Sequence, residues 1–153
     1  MKRGLLIALA VLIADQISKA AILDLMQPPR SIEILPVFNI VLAMNRGVSF
    51  SLFASHGEWT PYILTGVALA MVAGLLWWLR TAETTLTRVA IGLVVGGALG
   101  NVIDRVRYGA VVDFLDVHVG ASHWPAFNVA DSAITIGAIL LMLDALFSRP
   151  QSR

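Results

Sequence analysis

The sequence predicts a membrane all-α bundle of four transmembrane helices carrying a small extracytoplasmic β-sheet subdomain. Three observations predict it. The chain has 153 residues, 58% hydrophobic and only 14% charged, against roughly 25% charged in an average soluble domain. Its apolar residues gather into runs of about 20, long enough to cross a ~30 Å hydrocarbon core. One intervening segment, "SIEILPVFNIVLAMNRGVSFSLF", is rich in Ile, Val and Phe and broken by Pro36, Asn39 and an Asn-Arg-Gly turn. That is the composition of short strands, not of a linker.

A single integral-membrane domain is expected, with helices at about 4–23, 60–79, 88–107 and 129–147. The first run, "GLLIALAVLIADQISKAAIL", follows Lys2 and Arg3, as the apolar core of a secretory signal peptide would. Its length, its interruption by Asp15 and Lys19 and the lack of a small-residue cleavage site mark it instead as a retained helix. In the second run Thr60 suits an N-cap and Pro61 the first helical position, while Trp77 and Trp78 suit the interfacial belt. The outer segments fall at about 25–59, the β-rich one, and 108–127. Pro36 confines its strand to an edge or a bulge. Lys2, Arg3, Arg80, Arg88, Arg149 and Arg153 share one side of a four-span chain, against Arg30, Arg46, Arg105 and Arg107 on the other. The bias places both termini in the cytoplasm.

Composition also excludes functions. A net charge of +1 and no basic block argue against a nucleic-acid partner. Without cysteine there are no disulfides, thiolate nucleophiles or thiolate ligands. His56, His118 and His123 are not at ligand spacing, so no metal is expected, and nothing implies a cofactor.

Ionisable groups inside spans cost about 2.5–3.5 kcal/mol each on translocon scales, so each needs a reason. Asp15 and Lys19, four residues apart, share a helix face and read as a self-neutralising structural pair. Gly92, Gly96 and Gly100 form a small-residue stripe for close helix approach. Asp104 continues that stripe, with Asn101 and Arg105 beside it, more polar groups than an interface requires. If "VVDFLDVHV" is extended, Asp113 shares a face with Val111, Leu115 and Val117, and Asp116 and His118 take the wetter one. Asp113 is then the desolvated carboxylate, with a raised pKa. In "FNVADSAI", Asn128 as N-cap and Asp131 at the third helical position resemble a capping box. Asp113 and Asp131 nevertheless both border apolar sequence at the same membrane face. Two acids brought together cannot both ionise easily, so one keeps a proton while the other acts as base. That equipment activates water without a metal, a cysteine or a serine triad. A proton-coupled transporter is the competing class, but the acids cluster toward one surface and no inverted repeat is visible. An assembly subunit using the glycine stripe alone leaves the carboxylates unexplained.

The residues resemble the bacterial lipoprotein signal peptidases, the signal peptidase II family. The resemblance covers nearly the whole chain through "DQISK", "NRGVSFSLF", "GGALGNVIDRVRYGAVVDFLDVH" and "FNVADSAI", in that order. It implies an intramembrane aspartyl endopeptidase in which Asp113 and Asp131 form the catalytic dyad. It further implies that Asn45, Gly47, Asn101, Arg105 and Asn128 line or support the site and that Asp15 and Lys19 are polar positions of the first helix. Val48-Ser49 stands where small residues are also common, a departure that leaves the dyad untouched. The implied substrates are diacylglyceryl-modified prolipoprotein signal peptides, cleaved on the amino side of the lipid-modified cysteine. The implied setting is the bacterial cytoplasmic (inner) membrane, with the enzyme a monomer among membrane lipids and its site near the outer face. The outer segments, through Phe53 and Trp124 for example, are expected to cover the substrate.

Overall fold

The computed structural model describes residues 1–47 and 59–147. Among them are four helices long and apolar enough to cross a membrane: α1 (Lys2–Leu25), α2 (Thr60–Thr81), α3 (Thr85–Tyr108) and α4 (Val129–Phe147). Strands β1 (Ile32–Leu35), β2 (Phe38–Asn45), β3 (Val111–Val119) and β4 (Ser122–His123) form one antiparallel sheet in the order β1-β2-β3-β4. The sheet draws two strands from the α1–α2 segment and two from the α3–α4 segment, and gathers at the end of the bundle where α1 and α3 finish and α4 starts.

α3 is the central helix. In its apolar stretch 67% of residues are buried, against 17%, 11% and 17% in α1, α2 and α4, so those three face lipid where α3 faces protein. The cause is its glycines. A Cβ on Gly92 would lie 2.5 Å from the Gly4 carbonyl oxygen, and one on Gly96 2.5 Å from that of Ala8. Backbone therefore meets backbone along the α1–α3 seam, the close packing that small residues permit when lipid supplies no hydrophobic drive. Ala8, Val72, Leu79, Ile91, Val95 and Ala98 close the seams on either side of α3. Leu6, Ile17, Val67, Trp77 and Met142 are more than half exposed. A water-soluble surface would not carry so many apolar side chains, but hydrocarbon solvates them.

Local chemistry sets the helix ends. α3 begins at Thr85 rather than near 88 because the Thr84 hydroxyl accepts from the Thr87 N–H at 2.9 Å, a standard N-cap bond. It stops at Gly109, which takes a left-handed φ of 66° and donates to the Arg105 carbonyl at 3.0 Å, leading directly into β3. The expected capping role of Thr60 is not what forms: the N-cap is Trp59, with no side-chain cap bond, and Thr60 is already helical and buried. Gly47, at φ +88°, lies under it, and a Cβ there would reach 3.3 Å from Thr60 Cγ2.

β3 carries the largest departure from simple alternation. It pairs with β2 through Asn45↔Val111, Ala43↔Asp113 and Phe38↔Val117, and on its other side Leu115 and Phe127 exchange backbone bonds of 2.8 and 3.0 Å. With neighbours on both edges and helix ends beneath, Val111, Val112, Asp113 and Phe114 are buried in succession, whereas Val117 is exposed. Asp116, expected on a wetter face, is buried too: it accepts from Asn39 Nδ2 at 3.0 Å and pairs with His123 Nδ1 at 2.9 Å. The imidazole beside it holds its carboxyl below the ordinary range.

Gly96→Val should push α1 away from α3, at a cost of about 1–3 kcal/mol or more. Gly74→Ala, in α2 with nothing within 4 Å of the new methyl, should be neutral or slightly stabilising, by up to about 1 kcal/mol. Thermal unfolding of the two variants in detergent checks the contrast.

Candidate active site

Polar side chains from α1, α3, β2, β3 and α4 converge beneath the sheet. Asp113 and Asn128 are essentially inaccessible, and Asn101, Asp104, Asp15 and Lys19 are buried as well. Asp113 Oδ1 accepts from Asn128 Nδ2 at 2.7 Å, and Asp113 Oδ2 accepts from Asn45 Nδ2 at 2.9 Å. Asp131 Oδ1 accepts from Asn101 Nδ2 at 2.8 Å. Asn128 Nδ2 also lies 3.3 Å from Asn101 Oδ1, so one asparagine pair links the two carboxylates. Arg105 Nη1 donates to the Asn101 carbonyl at 3.4 Å.

Each asparagine faces its carboxylate for an identifiable reason. An amide has one acceptor end and one donor end, and here protein donors occupy every acceptor end. Asn45 Oδ1 takes the Gly47 N–H at 2.8 Å, closing the turn that needs a glycine. Asn101 Oδ1 takes Lys19 Nζ at 3.0 Å. Asn128 Oδ1 takes the Asp131 N–H at 2.9 Å, capping α4. Only the NH₂ ends remain for Asp113 and Asp131. The capping box is thus half formed: Asn128 caps as expected, but the Asp131 carboxylate turns to Asn101 instead of reaching back along its own helix.

Burial pushes the Asp113 carboxyl up to about 6, against the hydrogen bonds from Asn45 and Asn128, and the charge of Asp131 adds to the rise. Each carboxylate also opens onto space. A cleft of about 350 Å³ reaches Asp113 between Ala43–Arg46 of the β2 end and Pro125–Ala126. Asp131 borders one of about 440 Å³ walled by Trp124, Phe127 and Ile136. It also borders a groove of about 260 Å³ between α2 and α4, floored by Val94 and Ala98 of α3 and ending at Asn101 and Arg105. The groove is apolar along its length and polar at its end.

Lys19 Nζ lies 2.9 Å from Asp15 Oδ2 and 2.8 Å from Asp104 Oδ2. The pair expected within α1 is therefore part of a three-residue charge cluster reaching α3. Sequence reasoning missed Gln16, whose Nε2 donates to Asp15, to Asp104 and to the Gly100 carbonyl at 3.1–3.3 Å. Its only signal is a polar residue next to Asp15 in an apolar run. Phe53, His56 and the Val48-Ser49 departure lie outside the described residues.

The overall fold recurs among known proteins. A solved structure described as a bacterial membrane enzyme, obtained by the in meso method, matches with a TM-score of 0.84 and 33% identity, covering 97% of this chain and 96% of that one. The class is a multi-pass membrane enzyme. The family model for signal peptidase (SPase) II matches residues 7–147. A protein of Paraburkholderia phymatum named lipoprotein signal peptidase is 47% identical over 141 residues, 92% of this chain and 85% of the relative. One of the same name from Ralstonia nicotianae is 48% identical over 136 residues, 88% and 79% of the two chains. The chain belongs to the signal peptidase II family, and is a peptidase.

Asp113 supplies a pH test. Its carboxyl rises from an ordinary 3.8 to about 6 on folding, so between those values the folded chain holds more protons than the unfolded one. Stability therefore falls as pH climbs through that window, by on the order of 3 kcal/mol at full loss. Asp113→Asn should flatten the dependence of unfolding temperature on pH across it; an unchanged slope would count against this assignment.

Proposed function

We propose that the chain is an aspartyl endopeptidase that removes signal peptides from diacylglyceryl-modified prolipoproteins, cutting on the amino side of the lipid-modified cysteine. The observation that carries this reading is the bridging of Asp113 and Asp131 by one asparagine pair, with each carboxylate opening onto a cleft. The family match and the names of the relatives support the substrate class.

In this mechanism one aspartate is ionised and takes a proton from water, and the resulting hydroxide attacks the scissile carbonyl carbon. The other, protonated, donates to the carbonyl oxygen as charge develops there. Collapse of the tetrahedral intermediate breaks the C–N bond: the proton gained from water passes to the departing amine of the cysteine, and the other aspartate takes back its proton as the new carboxyl group forms. The pair titrates as a unit. Asn45, Asn101 and Asn128 hold the carboxylates in place, and burial keeps bulk water from competing with the one that reacts.

The architecture suits a substrate that stays in the bilayer. The apolar groove between α2 and α4 opens toward lipid and ends at Arg105 and Asp131, so a signal helix and acyl chains can approach laterally. Trp124, exposed beside the Asp131 cleft, is placed to cover the substrate. Lys2, Arg3, Arg80 and Arg88 lie at the bundle end away from the sheet. That distribution supports cytoplasmic termini and a site at the outer face of the inner membrane.

Asp113→Asn and Asp131→Asn should each abolish cleavage of a lipid-modified precursor in detergent while the protein elutes as folded; full activity in either sinks the dyad. Orientation has a separate test, since the chain lacks cysteine. A Ser122→Cys variant in intact cells should react with a membrane-impermeant thiol reagent and a Thr81→Cys variant should not. The reverse pattern would invert the topology.

A further inference from the structure

Two backbone N–H groups outside the carboxylate–asparagine contacts are held by buried acids. Asp15 Oδ1 accepts from the N–H of Ala130 at 2.9 Å, and Asp104 Oδ2 accepts from that of Val112 at 3.1 Å. Ala130 immediately precedes Asp131, and Val112 immediately precedes Asp113. Each proposed dyad member thus follows a residue gripped by a carboxylate from a different helix. Both grips meet at one atom, Lys19 Nζ, 2.9 Å from Asp15 and 2.8 Å from Asp104. An ammonium has three N–H donors, and the third goes to Asn101 Oδ1 at 3.0 Å, the amide whose other end meets Asp131.

We propose that Lys19 is a positioning residue which holds Asp113 and Asp131 at their working separation, clamping the two acids that grip the chain just ahead of each. The proposal rests on the dyad reading above. Asp131 is borne by α4 and Asp113 by β3, elements whose mutual placement no local sequence dictates. One tetrahedral cation ties α4 through Asp15, β3 through Asp104, and the Asp131 side chain through Asn101. A guanidinium could not reproduce this, because its donors lie in a plane. Simple charge neutralisation within α1 would need only Asp15. The additional arms to α3, and from there to β3, are what a purely local pair leaves unexplained.

The test compares wild type, Lys19→Met and the double variant Lys19→Met/Asp104→Asn in a detergent cleavage assay, each rate normalised to the folded fraction. The double variant removes one of the two carboxylates that Lys19→Met strands, and the amide introduced at position 104 can still accept from the Val112 N–H through its oxygen. It also leaves the net charge of the cluster unchanged, so it isolates geometry from electrostatics. Expected for the folded double variant is a kcat lower by about 10²-fold, the usual order for sub-ångström to ångström misplacement, with KM held within about threefold. The single variant should in addition move both limbs of the pH–rate profile to higher pH. It loses a cation facing Asp15, Asp104 and the dyad, and leaves Arg105 as the nearby positive charge. A folded double variant with kcat within about threefold of wild type overturns the proposal, as does a loss wholly accounted for by the unfolded fraction. Asp113→Asn and Asp131→Asn run beside them: activity there overturns the dyad itself, whereas inactivity there with a fast double variant overturns Lys19 alone.

Discussion

An ammonium held between two carboxylates within a helix bundle is costly unless every donor and acceptor is matched, since removing charges from water takes several kcal/mol per ion. The cluster of Lys19, Asp15 and Asp104 meets that condition. Lys19 uses its donors on Asp15, Asp104 and Asn101. The acids also accept from Gln16 and from the N–H groups of Ala130 and Val112. The rest of the polar chamber hangs from this cluster: the start of α4, the start of β3 and the orientation of Asn101. The glycine seam makes the cluster possible. Only because α1 and α3 touch backbone to backbone near Gly92 and Gly96 can Lys19 of α1 reach Asn101 and Asp104 of α3 while Asp15 reaches the start of α4.

The asparagines then act as one-way connectors. Lys19, the Gly47 turn and the α4 cap each occupy an amide oxygen, so three NH₂ groups point at two carboxylates. Hydrogen bonds of that kind favour the ionised form, yet burial outweighs them at Asp113, which rises to about 6. For the proposed dyad this combination is useful. The carboxyls are fixed in orientation while burial keeps a proton on Asp113 to higher pH than an ordinary carboxyl would hold it. The cost is stability, and it falls on the site, not on the α1–α3 seam.

Much of the bundle was legible in the sequence because lipid imposes simple rules. A span must be long, apolar and helical, since no water is present to satisfy unpaired backbone groups. The runs containing Gly4–Ile22 and Thr60–Leu79 announce themselves by composition alone. Ends were less legible. Thr84 extends α3 through a side-chain bond that hydropathy cannot register, and Thr60 looked like a cap but packs over Gly47 as a helical residue. Asp116 looked wet because alternation assumes one open face, but the Asn39 and His123 side chains from the flanking strands close over it there.

The polar residues divide the same way. The sequence by itself determined which groups were anomalous, Asp15, Lys19, Asn101, Asp104, Asp113 and Asp131, because a charge at the edge of hydrocarbon is expensive and therefore needs a partner or a task. It also determined the local geometry of Asn128, whose cap depends only on residues three apart. Only the tertiary structure decided the pairings. That Lys19 reaches Asp104 as well as Asp15, that Asn45 meets Asp113, and that Asn101 and Asn128 bridge the two carboxylates depend on how α1, β2, β3 and α4 converge around α3. Several of those contacts join residues 30 to 68 positions apart. Short-range periodicity carries no information at that separation; packing does.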